Sequence, residues 1–80
     1  MTPAARQYTI MRMCLVERER KSHRLDARRL CQRARLMQVV GIDHRRLLPI
    51  IRQHRAIALS YGRELTGLIR DIQENAHAAR

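Results

Sequence analysis

Between Ala4 and Val40 the chain runs without proline or glycine. One stripe of positions there advances in alternating steps of three and four: Met13, Val16, Arg20, His23, Ala27, Leu30, Ala34 and Met37. That spacing keeps one face of an α-helix turned to a single neighbour. Thr2 followed by Pro3 forms a start signal, with the hydroxyl as cap and the proline in the first turn, where its missing N–H costs nothing. The segment Glu17 to Arg24 contains no apolar side chain. Glu17 with Lys21 and Glu19 with His23 stand four apart, a spacing that supports a solvated helix. The reading is one continuous helix over about 4–40; a break near Ser22 is the alternative.

Gly41 ends this pattern, because glycine readily takes the left-handed backbone that closes a helix. Asp43 resembles an N-cap for a second helix. Pro49 conflicts with a regular helix beginning at His44, since it would sit well inside it. The second helix is therefore placed at about 49–75, after a bend over 41–48, with a kinked helix from His44 as the alternative. Its stripe is Leu47, Ile51, His54, Ala58, Tyr61, Leu65, Leu68 and Ile72. Gly62 is a weak point in it, and Asn75 to Arg80 is an Ala-rich tail expected to fray.

Folding the stripes together about the bend pairs Met37 with Leu47, Ala34 with Ile51, Leu30 with His54, Ala27 with Ala58 and His23 with Tyr61. Val16 then meets Leu68, and Met13 meets Ile72. Small residues meet at Ala27 and Ala58, near Gly62, which favours close approach, and His23 faces Tyr61 within hydrogen-bonding reach. The expected fold is all-α: an antiparallel two-helix hairpin, or three helices, with coiled-coil-like packing in one domain over residues 1–80. Leu25, Leu36, Val40, Ile50, Ile57 and Ile69 lie off the seam, and a two-helix hairpin cannot bury them all. They imply completion by a partner helix or a second copy of the chain, and Leu25, Leu36, Ile50, Ile57 and Ile69 are the candidate partner-binding residues.

Composition adds weight to that need. Eighty residues with no Phe or Trp, and only Tyr8 and Tyr61, make a light core. Cys14 and Cys31 on one helix stand roughly 25 Å apart at about 1.5 Å per residue, too far for a disulfide, which suits a reducing compartment. No apolar run reaches the length of a membrane span, and no secretory signal pattern appears. The first sixteen residues carry Arg6 and Arg12 without an acid, like a mitochondrial presequence, but the same charge style continues past Glu17. The expected location is intracellular: cytoplasm or nucleoid, with the mitochondrial matrix as the variant.

Charge changes the picture most. The formal net charge is +10, and only Lys21 among the seventeen basic residues is lysine. A GC-rich genome accounts for that bias as well as arginine's phosphate-pairing fork does. From Ala27 to Arg63, nine arginines accompany one carboxylate, Asp43. In a hairpin, Arg28, Arg29, Arg33 and Arg35 gather near the bend on one helix, with Arg45, Arg46, Arg52 and Arg55 on the other. Such a pole attracts the backbone of RNA or DNA, without sequence readout and with steep salt dependence. The absence of aromatic partners excludes base stacking as the mode. A merely solvated charged surface is the plain alternative.

The bend also resembles, over about eighteen residues, the helix-turn-helix of DNA-binding factors, in particular the Fis-like type. Val40 and Ile42 flank Gly41, Asp43 takes the capping place, and Leu47 and Ile51 fall at the apolar positions beyond. The resemblance implies that His44, Arg45 and Arg46 open a recognition helix facing the major groove. Met37, where that family has alanine, and Pro49, inside the implied recognition helix, depart from the pattern.

No catalytic constellation emerges. His23, His44, His54 and His77 show no metal-ligand spacing along the chain, and Ser22, Ser60 and both cysteines lack a fixed base. With no Gly-rich phosphate loop either, no metal or cofactor is expected, and the chain reads as a non-enzyme. The leading expectation is a nucleic-acid-binding protein, a ribonucleoprotein component or DNA-associated regulator. The alternative is an assembly factor or helical-bundle subunit docking through its aliphatic edge. A basic amphipathic helix lying on a membrane surface is weaker, for want of Trp and Phe.

Overall fold

The computed structural model describes residues 1–78 and consists of two α-helices, α1 (Pro3–Val39) and α2 (Leu47–Ala78), packed antiparallel. The expected hairpin is the fold; no third helix forms among the described residues. α1 is continuous through the apolar-free segment. There Glu17 accepts from the Arg20 guanidinium at 2.8 and 2.9 Å and lies 3.6 Å from Lys21 Nζ. At its start, Thr2 Oγ1 accepts the Ala5 N–H at 3.1 Å, and Pro3 occupies the first turn.

At its other end the chain closes on itself through Gly41, whose φ is +78°. The Ile42 N–H reaches back to the Met37 carbonyl at 2.8 Å and the Gly41 N–H to the Gln38 carbonyl at 3.2 Å. This pairing of 6→1 and 5→2 bonds satisfies carbonyls that a helix end leaves open.

The entry to α2 departs from expectation. It starts at Leu47, not Pro49, because the turn bonds Leu47 N–H to His44 C=O (3.0 Å) and Leu48 N–H to Arg45 C=O (3.3 Å) lead straight into it. Pro49 is then the third helical residue, still in the first turn, where no intrahelical acceptor awaits an N–H. Asp43 does not cap α2. Its Oδ1 accepts the Arg45 N–H at 3.0 Å, closing a local turn ahead of the helix. α2 also runs to Ala78, beyond the expected end near 75, with Asn75 Nδ2 donating to the Asp71 carbonyl at 2.7 Å. The last two residues of the tail expected to fray lie outside the described residues.

All sixteen positions of the two stripes are buried or half-buried. The fully enclosed apolar core is small: Val16, Ala27, Ala34, Ile51 and Ala58. Arg12 and Glu64 bridge the helices at 2.8 Å on one flank of the seam, and Arg55 donates to Cys31 Sγ at 3.1 Å on the other. The result is a rod of 62 × 15 × 14 Å. No helix among the described residues is long and apolar enough to cross a membrane.

Candidate functional site

The polar interruptions of the two stripes meet midway along the rod. His23 of α1 and His54 of α2 place their Nδ1 atoms 2.8 Å apart, one ring donating and the other accepting. Tyr61 stacks on His23, with ring centroids 6.1 Å apart and planes 24° from parallel. The expected His23–Tyr61 hydrogen bond is thus a stacking contact, and the hydrogen bond belongs to the two histidines. Asp26, one helical turn after His23, completes a half-buried trio whose donor atoms lie within 4.8 Å of one another. Spacing along the chain could not reveal this group, because its third member comes from the opposite helix.

The arginines form a second feature. Arg28, Arg29, Arg33, Arg35, Arg45, Arg46, Arg52 and Arg55 are all exposed. Among them only Arg45 has a carboxylate partner within the described residues, Asp43 at 3.1 Å. The Arg45 guanidinium, with its backbone N–H, holds the Asp43 carboxyl below the usual carboxylate range. Glu17, outside this group, is lowered in the same way by Arg20.

The implied helix-turn-helix geometry is absent. In that motif the helices diverge at about 90–120°, whereas α1 and α2 pack along each other as an antiparallel pair. His44, Arg45 and Arg46 lie in the link before α2 rather than on a recognition helix.

The aliphatics off the seam do not form one edge. Ile50, Ile57 and Glu64 recur every seven residues, so they share the flank on which Glu64 meets Arg12. Ile69 follows Leu48 and Arg55 at multiples of seven, on the flank where Arg55 meets Cys31. Leu25 and Leu36 lie on the outward face of α1, in a three-and-four stripe with Tyr8, Met11, Leu15 and Val39. Ile57 is half-buried, while Leu25, Leu36, Ile50 and Ile69 are exposed. The densest exposure is at the bend: Val39 is 84% accessible, and Leu36 and Val40 are each 68%.

No family model, curated protein or solved structure matches this chain.

Proposed function

We propose that this chain is a helical-bundle subunit whose role is binding rather than catalysis. Its bend half docks against an acidic, amphipathic partner helix. The observation that carries this reading is the imbalance between the apolar side chains enclosed and those left outside. The core is three alanines with Val16 and Ile51, while Leu25, Leu36, Val39, Val40, Ile42 and Ile50 stay exposed towards the bend.

Shape supports it. A globular protein of 9.5 kDa has an accessible surface of about 5,000 Å², and this rod has 6607 Å². Its radius of gyration is 18.1 Å, against roughly 12 Å for a compact chain of this length. Charge selects the partner. Between Lys21 and Ile57, ten basic side chains accompany only Asp26 and Asp43. Two copies meeting bend to bend would repel, whereas an acidic helix would neutralise the arginines while covering Ile50 and Ile57.

The test is a photo-crosslinking residue at position 50 or 57, compared with one at the exposed Gln73. A discrete adduct with an acidic helical protein is expected from 50 and 57 but not from 73. Ile50→Ser with Ile57→Ser should remove the complex, and these changes leave every arginine in place. Equal labelling from all three positions, or a complex untouched by the double substitution, would refute the reading.

A second reading, contact with a nucleic-acid backbone, is favoured by one observation. Seven of the eight bend arginines are exposed and have no carboxylate within ion-pair distance among the described residues.

A further inference from the structure

We propose that His23, Asp26 and His54 form a binding site for a divalent transition metal of the zinc, cobalt or nickel class, which clips α1 to α2 at the middle of the hairpin. The chemistry of the donors sets the class. Two imidazole nitrogens and one carboxylate oxygen suit borderline cations, whereas magnesium and calcium call for oxygen alone. Geometry brings the donors together from two helices. His23 and Asp26 stand three residues apart on one face of α1, His54 faces them from α2, and the three donor atoms lie within 4.8 Å of one another.

The adjustment needed is one of side chains, not of backbone. Metal–nitrogen bonds of about 2.0–2.1 Å in a tetrahedral site hold ligand atoms about 3.3 Å apart. The two rings, now 2.8 Å apart at Nδ1, must open by about half an ångström, and the ring that donates must carry its proton on Nε2 instead. The carboxylate oxygen, within 4.8 Å of the other donors, must close on them by up to about 1.5 Å. Both are half-buried, so side-chain rotation suffices and an ion has a path in from solvent. Tyr61 stacked on His23 steadies that ring in either state.

Asp26 supplies the independent sign. Its half-buried carboxylate has no ion pair or hydrogen bond among the described residues, although arginines abound in this chain. A histidine pair serving only as a polar contact in the seam does not need it. In a region of strong positive charge, a cation does, because the carboxylate offsets the local repulsion. Three protein ligands leave one position for water. Since the ligands span both helices, binding favours the folded hairpin over the unfolded chain. This site stands independently of the docking reading, as none of its ligands belongs to the proposed docking residues.

The experiment uses the full chain, with thermal unfolding followed by circular dichroism in zinc or in chelator, and a cobalt(II) titration followed by visible absorption. Saturating zinc should raise the midpoint by at least about 5 °C, and cobalt should give a visible band that saturates at one equivalent. His54→Gln should abolish both effects. Asp26→Asn, which leaves the histidine pair in place and so tests the site without disturbing the seam, should weaken cobalt binding at least about tenfold. The paired control His44→Gln with His77→Gln should bind as the parent does. No zinc shift in the parent chain overturns the proposal. So does cobalt affinity unchanged by Asp26→Asn, and so does a response that is lost in the His44/His77 control, which would place the ion elsewhere.

Discussion

Gly41 shows how much of the hairpin hangs on one backbone conformation. Its φ of +78° lets the chain turn back while Ile42 and Gly41 satisfy the carbonyls of Met37 and Gln38. Open space surrounds it: a Cβ built there meets no atom within 4 Å. A side chain at this position therefore brings backbone strain without collision, and the left-handed conformation costs a residue bearing a Cβ about 1 kcal/mol or more. Gly41→Ala should lower the unfolding free energy by that amount in urea titration. Gly41→Asn should lose less, because asparagine tolerates the left-handed region. Asp43, two residues on, contributes through its turn with Arg45, a role that its place ahead of a helix makes easy to mistake for an N-cap.

Within the helices, both seams were legible because the hairpin buries a residue only where the three-and-four rhythm puts it. Even Arg20 and the two histidines obey that rhythm, although hydropathy alone would leave them out. The partner of each seam residue was less legible. In interlocked packing a side chain sits between neighbours of the opposite helix, so His23 touches both His54 and Tyr61, and a one-to-one pairing finds only the second. The trio with Asp26 stayed hidden for the same reason. Where α2 begins was also obscured, because a proline is tolerated within the first helical turn and not at its first position alone. Gly62, a weak point of α2 by sequence, has no close neighbour that requires a glycine there; the nearest atom to a Cβ built on it is the flexible Arg20 Cδ at 3.6 Å, an ordinary contact. With nothing to collide with, Gly62→Ala should stabilise α2 by up to about 1 kcal/mol through helix propensity. Its urea midpoint should rise, opposite in sign to Gly41→Ala. A fall would mean that Arg20 is pushed off Glu17, which it now holds at 2.8 Å.

At the scale of the whole rod, charge and apolar exposure coincide at the bend, and the two readings of function divide on which of them drives binding. The open end is nearly balanced: Glu64 pairs with Arg12, and Asp71 and Glu74 accompany Arg70. At the bend the arginines are exposed, and among the described residues only Asp43 is drawn into an ion pair with them. If these arginines engage phosphates, binding must release counterions, and affinity falls with salt in proportion to the contacts made. Replacing Arg45, Arg46 and Arg52 together with Glu should then weaken retention on RNA or duplex DNA at least about tenfold near 100 mM salt and flatten the salt dependence by about two to three contacts. Ile50→Ser with Ile57→Ser should leave that retention unchanged, since neither isoleucine carries charge. For docking on an acidic helix the pattern differs: the isoleucine pair governs dissociation, while the arginines mainly set the rate of encounter. Nucleic-acid retention unchanged by the charge reversal removes the phosphate reading. The bend arginines would then be left the task of steering an acidic helix onto the aliphatics beside them.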